Sequence, residues 1–130
     1  MELPKFRVDV FREIVASEDV RILLAEDDGE LLGYAAFGAN RDPDAERGVG
    51  EVRTLFVRPG RWRRGVGAEL LRAALRELSE MGYDSASLWS FASNDRANAF
   101  YERAGFSRDG SERTEEVWGH APEVRYRRRL

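Results

Sequence analysis

Apolar positions along the chain follow two periods, and their alternation divides the sequence into elements. Near the N-terminus Val10, Phe11, Ile14 and Val15 recur at helical spacing, which predicts a short amphipathic helix over 10–17 ending near Ser17-Glu18-Asp19. Two apolar runs follow, Arg21-Ile22-Leu23-Leu24-Ala25-Glu26 and Leu31-Leu32-Gly33-Tyr34-Ala35-Ala36-Phe37-Gly38, joined by Asp27-Asp28-Gly29-Glu30. A glycine in so short a junction supplies the positive φ of a tight turn, so the pair predicts an antiparallel hairpin. Residues 40–50 are polar and acidic with Gly and Pro, the composition of a loop.

The second half alternates strand and helix. Glu51-Val52-Arg53-Thr54-Leu55-Phe56-Val57 reads as a strand stopped by Arg58-Pro59-Gly60. Val66, Leu70, Leu71, Ala74, Leu75, Leu78 and Met81 then share one helical face, and Gly82 supplies the stop. Ala86-Ser87-Leu88-Trp89-Ser90-Phe91 alternates as a strand. Ser93 or Asn94 can cap a helix that buries Ala97, Phe100, Tyr101 and Ala104 and ends at Gly105. From Phe106 onward two strands flank the loop Gly119-His120-Ala121-Pro122. A strand, crossover helix and strand imply a parallel pair, whereas the first half is antiparallel. The expected fold is an α+β sandwich, a mixed and mainly antiparallel sheet with helices on its faces.

Composition narrows the chemistry. The 130 residues make one domain, 1–130, large enough to hide roughly two thirds of its unfolded surface. No cysteine is present, which excludes disulfides, thiolate nucleophiles and Cys-based metal sites, and no metal is expected. No apolar run approaches the ~20 residues of a membrane helix, and the N-terminus has no signal-peptide core, so a cytoplasmic protein without a membrane partner is expected. With 21 Lys+Arg against 24 Asp+Glu the net charge is −3, so bulk charge gives no reason to expect a nucleic-acid partner. Arg125, Arg127 and Arg129 would share one strand face, and a solvated face is the expectation there. His120, the sole histidine, falls in a Gly/Pro loop and is expected at the surface, and Ser90 has no His or Asp companion for a triad.

Chemistry concentrates in two stretches. Arg61-Trp62-Arg63-Arg64-Gly65-Val66-Gly67-Ala68-Glu69 follows a strand and opens the longest helix. Glycines at 65 and 67 let the backbone approach an object closely, and free N–H groups at a helix start favour an anion, with Arg63 and Arg64 adding charge. A phosphate-bearing ligand fits this pattern. A tight strand-to-helix turn with solvated arginines fits the glycines equally. Neither a Gly-x-Gly-x-x-Gly nor a Gly-Lys-Ser/Thr signature is present, which disfavours dinucleotide and P-loop sites. The second stretch is Asn94-Asp95-Arg96-Ala97-Asn98-Ala99-Phe100-Tyr101-Glu102-Arg103-Ala104-Gly105-Phe106.

Together, in this order and spacing, the two stretches resemble the GNAT-type N-acetyltransferase superfamily over residues 20–130. That family carries Arg/Gln-x-x-Gly-x-Gly/Ala and then Asn with Phe/Leu-Tyr-Glu-x-x-Gly-Phe; Trp62 stands where it most often has Arg or Gln. The resemblance implies acetyl-CoA as co-substrate. It places the pyrophosphate on the backbone of Arg63, Arg64, Gly65, Val66, Gly67 and Ala68, and the pantetheine arm along Leu55, Phe56 and Val57, with Asn94 contacting the cofactor or a water. It also implies a splay between the central parallel strands, with the arm in the opening. Tyr101 aligns with the family's general acid, and Glu51 with a carboxylate that accepts the amine proton. A helix N-cap at Asn94, a core-anchoring Tyr101 and a solvated strand-end Glu51 stand beside these readings.

The implied reaction is direct attack of a primary amine, or of a peptide N-terminus, on the acetyl thioester. Asp42, Asp44 and Glu46 could attract a cationic amine. Family members usually begin with a strand and a helix that this chain is expected to lack, and acceptor recognition commonly uses that region. A catalytically silent acyl-CoA-binding sensor is therefore one alternative, and a phosphate- or nucleic-acid-binding module using Arg61, Arg63, Arg64 and the C-terminal arginines is another. A homodimer through sheet edges is compatible with the sequence.

Overall fold

The computed structural model describes residues 7–11, 20–60 and 65–130, which form seven strands, two α-helices and a short 3-10 turn. In chain order these are β1 (Arg7–Phe11), β2 (Val20–Asp27), β3 (Glu30–Ala39), β4 (Val49–Val57), α1 (Val66–Glu80), β5 (Ser85–Phe91), α2 (Asp95–Arg103), β6 (Ser107–Arg113), the 3-10 turn Glu116–Trp118 and β7 (Glu123–Arg129). One sheet takes the order β1-β2-β3-β4-β5-β7-β6. Only β4 and β5 pair in parallel; the other neighbours are antiparallel. The expected α+β architecture is the one found. No helix among the described residues is long and apolar enough to cross a membrane.

Three expectations change. Val10 and Phe11, read from sequence as the start of a helix over 10–17, lie in β1, whose backbone pairs with β2 through Val8↔Ala25 and Val10↔Leu23. Long-range pairing outweighs a short helical period. The rest of that expected helix, 12–17, falls outside the described residues, as do Arg63 and Arg64. A strand expected to be missing ahead of the hairpin is therefore present. Both described helices also lie on one face of the sheet instead of being divided between two: Ser90, facing the same side as core residues Ala86 and Leu88, donates to Asn98 of α2.

Helix α1 seats its apolar stripe of Val66, Leu70, Leu71, Ala74, Leu75 and Leu78 on Leu23, Ala25, Ala35, Phe37, Val52, Ala86 and Leu88 of the sheet. Each leucine buried there stabilises the fold by roughly 1.5–3 kcal/mol. The helix ends at Met81 with Gly82 following at φ 99°, as the sequence pattern anticipates.

What matters for function is how β4 and β5 part. Their parallel register covers only Val49↔Ser85, Gly50↔Ala86 and Glu51↔Ser87. In the β3–β4 register Phe37 faces Val52 while Ala36 faces Thr54, so Arg53 is an extra residue on β4. Such a bulge bends its strand and raises the local twist. Beyond it β4 runs on to Val57 without a β5 partner, and β5 continues against β7.

Candidate active site

A cleft of about 1280 Å³ lies between α1 and α2 and reaches the parted strands. Leu55 and Val57 of β4 form part of its wall, with Gly65, Gly67 and Ala68 of the α1 start, and Asn94, Phe100 and Tyr101 of α2. Leu71, Leu75, Ala104 and Leu130 give it an apolar floor, and Arg72, Arg76, Arg96, Arg103 and Arg128 also line it. An apolar floor beside guanidinium groups suits a ligand with a long neutral arm and phosphates.

The α1 start is shaped to be bare. Gly65 is the N-cap at φ 79°, a conformation costly for residues with a Cβ, and no side chain caps the helix. The first-turn N–H groups therefore face the cleft without an intrahelical acceptor, at the positive end of the helix dipole. Gly67 serves closeness instead: a Cβ there would stand 3.3 Å from Val57 Cγ2 and 3.5 Å from Phe100 Cζ. The glycine lets α1, β4 and α2 converge where the cleft is narrow.

Asn94 caps α2, its side chain accepting from Ala97 N–H at 3.1 Å, and it lines the cleft as well. Tyr101 packs its ring against Phe100, Phe106 and Tyr126, at centroid distances of 5.4, 6.2 and 6.1 Å. No hydrogen bond from its hydroxyl to a described group is formed, and the residue lines the cleft. Burial pushes the phenol above its ordinary value of 10.0. The ring is a structural anchor and the hydroxyl a donor still to be used.

Alternation along β4 separates the remaining candidates. Phe56 faces away from α1, stacked at 5.5 Å on Tyr34, and does not line the cleft; Val66 lies in the α1 core. Glu51 is not the solvated strand-end carboxylate that one sequence reading allowed, being 2% exposed. Its Oε1 accepts from Arg41 N–H at 3.1 Å and Nε at 3.0 Å, and its Oε2 from Nη2 at 3.1 Å. This bidentate contact holds Arg41 with a raised pKa, mainly through the Glu51 hydrogen bond.

The acidic loop does not offer free charge to an amine. Asp42 accepts from Trp89 Nε1 at 2.9 Å and from Arg125 at 3.2 Å, Asp44 from Arg125 at 2.8 Å, and Glu46 lies 3.7 Å from Arg127. The same contacts correct the solvated reading for Arg125, which also binds Asp109 at 2.6 Å, while Arg129 is exposed as expected. These pairs fasten loop 40–48 to β5 and β7. His120 is exposed, as expected, at φ 60°.

Sequence reasoning missed Asn98. Only 4% exposed, it accepts from Ser90 Oγ at 2.7 Å and donates to the carbonyls of Phe91 at 3.2 Å and Ala92 at 3.3 Å. It ties α2, one turn before Tyr101, to the end of β5. The available signal was an amide placed next to Ala97 and one turn before Tyr101, at the edge of the helix's apolar face. Asn98→Ala is expected to destabilise the fold by about 1–3 kcal/mol, since it leaves buried groups unpaired. Urea denaturation measures this, and an unchanged midpoint would show that the clamp carries no net stability.

The sequence model of the acetyltransferase (GNAT) family matches residues 2–106. Mycothiol acetyltransferase from Streptomyces avermitilis is 42% identical over 84 residues, covering 65% of this chain and 26% of that protein. An uncharacterised N-acetyltransferase from Archaeoglobus fulgidus is 36% identical over 92 residues, covering 70% of this chain and 63% of its own length. The chain thus spans about a quarter of the first of these relatives and under two thirds of the second. A Bacillus subtilis acetyltransferase crystallised with CoA has the same fold, with a TM-score of 0.78 at 15% identity over 97% of this chain and 99% of that one.

Proposed function

The chain belongs to the acetyltransferase (GNAT) family, and from that premise we propose that it moves an acetyl group from acetyl-CoA to a primary amine. The observation that carries this reading is the cleft itself, with a bare helix start at one wall and an unbonded phenol at another, opening on the gap between β4 and β5. In the proposal the first-turn N–H groups of α1 take the pyrophosphate, and the main chain of Leu55 and Val57 runs beside the pantetheine arm. An extended arm needs only main-chain groups there, so side-chain identity matters little.

The reaction balances simply. The neutral amine nitrogen bonds to the acetyl carbon, and strand N–H groups stabilise the oxyanion. Collapse breaks the C–S bond, and the departing sulfur takes the Tyr101 proton. The proton lost by the acylated nitrogen leaves through water and restores the phenol. Glu51 enters with a reduced role: Oε2 keeps acceptor capacity for a water on that route, while its charge chiefly holds Arg41.

A CoA-binding domain without turnover is the second reading, favoured by the commitment of both Glu51 oxygens to Arg41. Calorimetric titration with acetyl-CoA followed by a thiol-release assay over an amine panel separates the readings. Saturable binding with amine-dependent CoA release is expected. Binding without release from any amine would leave the sensor, and no binding at high micromolar concentration would sink both.

A further inference from the structure

The large apolar side chains left exposed among the described residues are Leu31 (42%), Phe56 (41%), Val117 (77%) and Trp118 (57%). They gather at one end of the sheet, the end at which β4 and β5 have parted. Leu31 and Phe56 stand at the start of β3 and the end of β4, where Gly33 pairs with Val57. Val117 and Trp118 form the 3-10 turn before β7, whose first residue, Glu123, pairs with Phe91 at the end of β5. Trp118 meets the Phe91 ring edge-on at 6.0 Å.

Strand alternation fixes the face. Leu55 and Val57 line the α1–α2 cleft, so Phe56 between them points through the sheet to the opposite side, where Tyr34 joins it. On β5 Leu88 and Ser90 face the helices, so Phe91 also points away from them. Two aromatic pairs, Tyr34–Phe56 and Phe91–Trp118, therefore flank the opening on the side away from the cofactor cleft. Exposed aromatics grouped at one opening mark a binding surface.

Charge on this face points to the same kind of occupant. Glu51 is held by Arg41, Asp42 by Arg125, and Glu123 by Arg113 at 3.0 Å. The Arg113 guanidinium further covers the Trp89 ring at 4.2 Å. A polycation would meet these three carboxylates already paired with arginine. A single amine on an apolar body would meet rings.

We propose that the acceptor is a primary amine carried on an aromatic or bulky apolar body, bound between the Tyr34–Phe56 and Phe91–Trp118 pairs on the face opposite the cofactor cleft. The inference rests on the acetyl-transfer reading above. The body stacks on the rings while its neutral nitrogen reaches through the strand gap to the thioester carbon, with the bond changes already given.

Thiol release from acetyl-CoA is measured with phenethylamine, ethylamine and spermidine as acceptors. The kcat/KM for phenethylamine is expected to exceed the other two by about tenfold or more, from the apolar area buried. Trp118→Ala, an exposed position whose truncation spares the core, is expected to shrink that margin to within about threefold and to raise the phenethylamine KM, with the acetyl-CoA KM unchanged. Spermidine as the best acceptor, or a margin unaffected by both Trp118→Ala and Phe56→Ala, overturns the inference and leaves acetyl transfer standing. Absence of acetyl-CoA binding, or binding without release from any amine, overturns acetyl transfer and the inference with it.

Discussion

Tyr101→Phe is expected to lower kcat by about 10²–10³-fold while leaving the dissociation constant of acetyl-CoA within about twofold. The asymmetry follows from what the residue does with each of its parts. Its ring packs against Phe100, Phe106 and Tyr126, and phenylalanine retains all of those contacts. Only the hydroxyl is lost, and no described group is left without a partner by its removal. The departing thiolate, whose conjugate acid has a pKa near ~8.5, would then have to take its proton from water.

The pH profile gives a separate check on the same residue. Burial raises the Tyr101 phenol above 10.0, so the acid form persists throughout the neutral range. Stability linked to that protonated phenol is complete below the unfolded value and is lost only as pH rises through the higher folded value. The wild-type rate should therefore show no fall assignable to Tyr101 up to about pH 10. Stopped-flow thiol release from pH 7 to 10.5 on both proteins decides the matter. Equal loss of binding and turnover would remove the phenol from the acid role, whereas a wild-type alkaline limb below pH 9 that Tyr101→Phe abolishes would keep that role and overturn the upward shift of the phenol.

Much of this site was legible because its signals are local. Gly65 and Gly67 declare a bare helix start within three consecutive positions, and Asn94 and Tyr101 share a face because they stand two helical turns apart. What stayed hidden depends on register. Glu51 and Arg41 meet only because β3 and β4 pair Gly38 with Glu51, so no local pattern could reveal that the carboxylate is buried and committed. The acidic loop and Arg125 each read as solvated in isolation. They neutralise one another across more than 80 residues, as Arg125 and Asp42 show. The strand at Arg7–Phe11 was concealed in the same way, since its partner β2 lies beyond the local window. Phe56 was grouped with Leu55 and Val57 because a strand reading without its register does not resolve the face.

Gly65→Glu is expected to weaken acetyl-CoA binding by about a hundredfold or more with the fold retained, and Gly65→Ala separates the causes. Both variants place a Cβ at φ 79°, costing roughly 1–2 kcal/mol of conformational strain. A Cβ at Gly65 meets nothing within 4 Å, so neither variant needs to displace a neighbour. Strain alone should therefore move the melting temperature of both by similar amounts and reduce affinity only a few-fold in the alanine variant. The glutamate adds a carboxylate that the α1 dipole and first-turn N–H groups draw onto themselves, a stabilising contact worth about 0.3–1 kcal/mol to the helix. The attraction that keeps this variant folded fills the anion site from within the chain, and the pyrophosphate then meets both a competitor and a like charge. Rising salt should recover part of the lost affinity by screening that repulsion, an effect absent from Gly65→Ala. Affinities of the two variants within threefold of each other by calorimetry would place the phosphates away from the α1 start.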